Sequence, residues 1–197
     1  MPVDSAVDGA LARALASGKA PAGASTNDDA RLRRAFVQHF AGVWRFLRRL
    51  GIPADRVDDA AQHAFLVALE ALPRILPGCE RAFLYATAVR IAHGHRRRVD
   101  REVATVDVEL GSSPLPSADE LTDQKRAREL LDRLLEQIEL DARAVFVLFE
   151  IEGFTLPEIA DLLKLPLGTA TSRLRRARER FQALAQASSP DARSRRP

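Results

Sequence analysis

One cysteine, one tyrosine, one tryptophan and one methionine stand in 197 residues, and lysine supplies only three of the 30 basic side chains. The single thiol, Cys79, excludes an intramolecular disulfide and fits a reducing compartment, so packing alone has to hold the fold. No segment offers 18 uninterrupted apolar residues, and the first 28 have no basic start followed by a sustained apolar core. Membrane spanning and secretion are therefore not expected, and a cytoplasmic location is. Strict apolar/polar alternation is missing too, which argues against strands. Neither a Gly-x-x-x-x-Gly-Lys-Ser/Thr phosphate loop nor a His-Glu-x-x-His pair occurs. His93 and His95 lie two apart on a predicted helix and point to different faces, with Cys79 well upstream in a loop, so they make no metal site. Asp58 and Asp59 sit where adjacent carboxylates complement a helix dipole. No catalytic constellation emerges: the expectation is a non-enzyme without cofactor or metal.

What the chain does have is apolar content of 46% and helical periodicity from end to end. Net charge is only +3 although 27 residues are arginine, so basic character acts by position. The length suffices for two small cores. Residues 1–28 read as a flexible tail rich in Ala, Gly, Ser and Asp. Residues 29–102 read as a helical domain of three helices. The first runs from Asp29 to about Leu50 with Phe36, Val37, Phe40, Val43, Trp44 and Leu47 inward, and Gly51 and Pro53 end it. The second spans about Asp55 to Leu72 with Val57, Ala61, Phe65, Ala68, Leu69 and Leu72 inward. After a Pro/Gly loop the third, about Arg81 to Arg101, starts apolar and ends in Arg96, Arg97 and Arg98. Residues 103–123 are an acidic linker with Asp107, Glu109, Asp119, Glu120 and Asp123 among Gly, Ser and Pro. Helices resume at about Asp123–Glu139 and Asp141–Glu152 in a second domain, residues 124–186, before a basic tail, 187–197. The fold class is all-α: two small helical domains on a flexible tether.

The second domain carries a helix-turn-helix signature. Thr155 and Glu158 form a Ser/Thr-x-x-Glu capping box, Pro157 is tolerated in the first turn, and Ile159, Leu162 and Leu163 form an apolar face. Pro166 and Gly168 are expected to make the reversal, with Thr169 capping the next helix. In that helix Leu174, Ala177, Phe181 and Leu184 recur at helical spacing and face the core. Thr171, Ser172, Arg173, Arg175, Arg176, Arg178 and Arg180 are left on the remaining surface. Five arginines within eight residues suit phosphates and guanine edges. A linker of about 20 residues reaches roughly 70 Å, about two turns of DNA at roughly 34 Å each, so two domains could contact separate elements of one duplex.

The runs Val57–Phe65, Ala82–Arg90, Gly153–Ala160 and Pro166–Arg178, in this order, resemble the small two-domain extracytoplasmic-function sigma factors of bacterial RNA polymerase, over about residues 29–186. The resemblance implies that Asp59, Gln62 and Phe65 dock on the polymerase clamp, although Phe65 also reads as core. Asp59 and Gln62, three apart, share one helical face. It implies further that Tyr85, Arg90, His93, Arg96, Arg97 and Arg98 serve the downstream, minus-ten element, where a separated strand needs positive charge and a stacking surface. For Tyr85 and Phe83, ordinary core packing is the competing reading. The recognition helix would read the minus-35 element as duplex. Thr171, Ser172, Arg173 and Arg175 would lie near base edges, and Arg176, Arg178 and Arg180 near phosphates.

The chain departs from the family pattern at several positions: His63 stands where an acid is usual, Phe83 where a tryptophan is, the run Tyr85–Ala88 reads Tyr-Ala-Thr-Ala where Tyr-Arg-Ile-Ala is usual, and Thr171 stands where many relatives carry a base. The implied partners are core RNA polymerase, promoter DNA and an anti-sigma factor. Two other readings remain open at this level. One is a free-standing helix-turn-helix regulator that binds its operator without polymerase. The other is a helical adaptor whose arginines take an acidic partner.

Overall fold

A computed structural model describes residues 26–105 and 123–188, with side chains over 30–102 and 126–188. Residues 1–25 of the expected N-terminal tail, 106–122 of the acidic linker and 189–197 of the C-terminal tail lie outside the described residues, while 26–28, 103–105 and 187–188 continue the neighbouring helices.

Helix α1 (Thr26–Arg49) buries Phe36, Phe40, Val43, Phe46 and Leu47, a stripe at helical spacing that Leu50 extends just past its end. It differs from the sequence expectation at two positions. Val37 is 69% exposed, while Phe46 is fully buried because it meets Tyr85 of α3 at a ring distance of 5.0 Å. The helix is closed on two sides, so its buried stripe broadens toward Phe46. Gly51, at φ +94°, ends α1: its N–H bonds to Arg48 O and that of Ile52 to Leu47 O, with Leu47 and Ile52 both buried. This is the Schellman closure that a left-handed glycine permits.

Helix α2 (Val57–Ala71) begins with Asp58 and Asp59 in its first turn and passes into a single 3-10 turn, Leu72–Arg74, at Pro73. Its Phe65 packs with Phe36 and Phe40 at ring distances of 4.9 and 5.8 Å. Helix α3 (Glu80–Thr105) follows a loop that Arg31 fastens to α1: its guanidinium donates to Glu80 and to the Ile75 carbonyl.

Helices α4 (Asp123–Glu136), α5 (Leu140–Glu150), α6 (Leu156–Leu163) and α7 (Leu167–Ser188) make the second half. Every residue of α5 from Ala142 to Leu148 is buried, as befits the central helix of its group. One of them is Arg143, which donates to the Ile138 and Glu136 carbonyls and so satisfies the open C-terminal end of α4. The N-terminus of α5 is capped by Glu139, whose carboxylate accepts from the N–H groups of Asp141 and Ala142.

The two halves are packed against each other, α1 on α4 and α3 on α6, and their buried residues form one connected core from Phe36 to Ala177. No described helix is long and apolar enough to cross a membrane.

Candidate nucleic-acid interface

The α6–α7 pair is built by local chemistry. The Thr155 hydroxyl accepts from Glu158 N–H, and the Glu158 carboxylate accepts from Thr155 N–H at 2.7 Å and from its hydroxyl at 2.8 Å. Those bonds, from the backbone N–H first and the hydroxyl second, hold the Glu158 carboxyl below the usual carboxylate range. The turn differs from the expectation. Lys164, not Gly168, takes the left-handed conformation (φ 54°, ψ 48°), and Leu165 N–H closes on Ala160 O at 2.8 Å. Gly168 is already helical, and Thr169 caps nothing: its N–H and that of Ala170 donate to Pro166 O. The reversal falls earlier because Leu165 supplies the apolar residue that a Schellman closure wants after its left-handed position, and Pro166 then starts the next helix.

Helix α7 buries only Ala170, Leu174 and Ala177, so most of its circumference faces outward. Thr171, Arg175, Arg176 and Arg178 are exposed there, while Ser172 and Arg173 are half-buried. The hydroxyls of Thr171 and Ser172 donate back to Leu167 O and Thr169 O, which leaves their lone pairs outward. Several of the arginines rest on nearby acids: Arg175 on Glu179 at 2.8 Å, Arg178 on Glu150 at 2.6 Å, and Arg173 on Asp141. The first two pairs are solvent-screened and weak, so phosphates can replace them.

On α3 the expected residues divide. Arg96, Arg97 and Arg98 are exposed near its C-terminal end, with Arg96 3.0 Å from Asp100. Arg90 is exposed and donates to Thr87, its guanidinium 5.7 Å from the Phe83 ring, and Phe83 itself is partly buried against the core. His93 Nε2 lies 3.0 Å from Asp141. His95 turns elsewhere. Its Nε2 is buried without a hydrogen-bond partner, and burial, then the charges of Arg56 and Arg98, hold its pKa below the ordinary value. Tyr85 is only 3% exposed. Its ring meets Phe154 at 5.3 Å, and its hydroxyl donates to Glu152 at 2.5 Å. Burial and that carboxylate push its pKa well up. In this arrangement Tyr85 offers no stacking face.

On α2, Asp59 and His63 are exposed and Gln62 is half-buried. Phe65 is a correction. At 3% exposure inside the Phe36–Phe40 cluster it has no surface for a partner, because α2 turns its 57–61–65–68 stripe onto α1 and α3.

Sequence reasoning missed Glu152, Phe154, Asp141, Arg49 and Arg81. They meet across the halves through side chains up to 103 positions apart, which leaves no periodic signal in the chain.

The C-terminal half thus defines an all-helical helix-turn-helix protein with an arginine-bearing second helix. Residues 128–181 match the family model for region 4 of sigma-70. The chain is 30% identical over 153 residues to the RNA polymerase sigma factor CarQ of Myxococcus xanthus, covering 76% of this chain and 86% of CarQ. It is 29% identical over 139 residues to the ECF RNA polymerase sigma-E factor of Escherichia coli K12, covering 65% and 73%. Among solved structures it is similar to CnrH in complex with the cytosolic domain of CnrY, with TM-score 0.58, 25% identity and coverage of 80% of this chain and 89% of that one. The sigma factor RpoE of Bartonella quintana, in complex with the anti-sigma factor NepR, shares the fold at TM-score 0.64 and 22% identity over 80% and 98% of the chains. The chain belongs to the extracytoplasmic-function sigma factors of the sigma-70 family, proteins of transcription initiation by RNA polymerase.

Proposed function

We propose that this sigma factor directs polymerase to specific promoters and promotes strand separation there. Residues 29–102 act as its region 2 domain and residues 124–186 as its region 4 domain, joined by 103–123 and flanked by tails 1–28 and 187–197. One observation carries the reading. The α6–α7 pair is capped at Thr155, reversed at Lys164, and leaves Thr171, Arg175, Arg176 and Arg178 exposed on a helix held to the core by Ala170, Leu174, Ala177 and Phe181.

Thr171, Ser172, Arg173 and Arg175, near the start of α7, are suited to base edges of the upstream element, and Arg176 and Arg178 to its phosphates. On α3, Arg90, His93 and Arg96–Arg98 hold the backbone of a separated strand, and Tyr85 stacks on an unpaired base once uncovered. Asp59 and Gln62 on α2 dock on the polymerase, and Phe65 positions that helix from inside. The chain supplies binding energy only; bond-making stays with the polymerase, and neither cofactor nor metal is required. An anti-sigma partner of the kind seen with the RpoE relative is proposed for it in the cytoplasm.

Run-off transcription from fragmented DNA of the source genome, with core polymerase and with or without this chain, tests the reading. Discrete new start sites are expected. Asp59→Ala with Gln62→Ala abolishes polymerase association without unfolding, whereas Arg173→Ala spares association and lowers promoter-specific transcription about tenfold, the worth of one good base contact. No new starts from a folded chain would overturn it.

A further inference from the structure

Leu167, the first residue of α7, is 50% exposed. Thr171 stands one turn further along the same face and is exposed as well. Gly168 beside them leaves the start of the helix open, since a Cβ placed there would meet no atom within 4 Å. A hydrogen bond joins the two turns: the Thr171 hydroxyl donates to the Leu167 carbonyl at 2.9 Å. That bond settles what Thr171 has to offer a partner. Its one hydroxyl proton is spent on the backbone, which leaves a γ-methyl group and acceptor lone pairs but no donor. Ser172 is in the same position, because its hydroxyl donates to the Thr169 carbonyl at 3.0 Å. Along the face of Leu167 and Thr171 the next donor is Arg175, another turn on, which Glu179 holds at 2.8 Å.

Major-groove edges differ in what they ask of such a face. Guanine shows two acceptors there, N7 and O6, and needs a donor that Thr171 has already spent. Thymine shows a C5-methyl group, which takes apolar contact from a threonine methyl. Its partner adenine shows an amino group that the Thr171 lone pairs accept, so an A·T pair meets both remaining capacities of this side chain. Leu167 adds an apolar side chain at the helix N-terminus, the part of a recognition helix that reaches base edges.

We infer that Leu167 and Thr171 form an apolar strip that reads the C5-methyl group of thymine in the upstream element, so that this chain selects an A·T pair where a basic side chain would select guanine. The inference rests on the proposed entry of α7 into the major groove of that element, and it adds which base is read and through which atoms. Arg175, beyond the strip, then serves the neighbouring base or phosphate.

The experiment uses the full chain bound to core polymerase. Upstream elements are taken from the duplexes that this complex selects out of a randomised pool. Each thymine in turn is replaced by deoxyuridine, which exchanges only the C5-methyl group for hydrogen. Fluorescence anisotropy with fluorescein-labelled duplexes reads the ratio of affinities, thymine over uracil. A ratio of about four, the worth of one methyl group removed from water, is expected at one thymine or two adjacent ones and no preference elsewhere. Thr171→Ser keeps the hydroxyl and removes the γ-methyl, and it should erase the preference at a sensitive thymine. Thr171→Val keeps a methyl and removes the hydroxyl, and the preference should survive. Leu167→Ala should lower the ratio at the same thymine or the adjacent one. No sensitive thymine at all overturns the inference. So does a preference that Thr171→Ser keeps and Thr171→Val removes, or a uniform loss of affinity in every variant with the ratios unmoved, which is what a purely structural role gives. If Thr171→Val fails to fold by circular dichroism, the ratios in Thr171→Ser and Leu167→Ala decide. A polymerase complex that selects no common element defeats the sigma reading. The same ratios are then measured on duplexes that the chain selects alone, and failure to select any there overturns the inference too.

Discussion

The two long arginine-bearing helices, α3 and α7, meet opposite fates. Helix α7 fully buries Ala170, Leu174 and Ala177 and half-covers Phe181 and Leu184 against the core, while Arg175, Arg176, Arg178 and Arg180 stay exposed and Arg173 is half-buried on Asp141. Helix α3 buries Leu84, Tyr85, Ala88, Val89 and Ala92, a stripe that α1, α2 and the Gly153–Phe154 turn enclose, and its exposed basic side chains include Arg90 and Arg96–Arg98. Similar composition therefore leaves most arginines of one helix exposed and buries the lone tyrosine of the other.

This contrast can be broken by substitution. The largest effect is expected at Phe65: Phe65→Ala should destabilise the chain by about 3–5 kcal/mol in urea denaturation, as removal of a core aromatic does. A polymerase-contact role for Phe65 predicts instead normal stability with lost association. On the α7 side the supports are local and smaller. Thr155→Ala removes the cap of α6 and should cost about 1 kcal/mol, read as a lower denaturation midpoint with unchanged slope. Smallest is Lys164→Gly, which relieves a left-handed side chain and should raise stability by up to about 1 kcal/mol. A loss there instead would show that the Lys164 side chain makes a contact worth more than the strain.

The helix-turn-helix was legible because its instructions lie within a few residues of where they act. Thr155 and Glu158 cap a helix three positions apart, and Leu174 and Ala177 mark a face. The turn was misplaced by the same local reasoning. Gly168 looked like the flexible residue, yet Lys164 takes the left-handed position and Leu165 N–H closes the turn on Ala160 O. On α1 the periodic stripe was visible, but Val37 and Phe46 changed places because a second packing surface, α3, recruits Phe46. Nothing local announced Glu152 or Asp141. Each is an ordinary acid near a helix end, and only its neighbours across the seam make it distinctive.

The sequence by itself determined that the chain is helical, where most helices start and stop, and that a capped pair carries arginines on its second helix, because backbone caps and apolar spacing act over one or two turns. The tertiary structure alone decided which of those arginine and aromatic side chains are uncovered. That choice depends on contacts between residues 49 and 152 or 85 and 152, brought together where the two halves share one connected core. A carboxylate's partner at such separation is fixed by the whole fold, since its own neighbours in the chain carry no term for it.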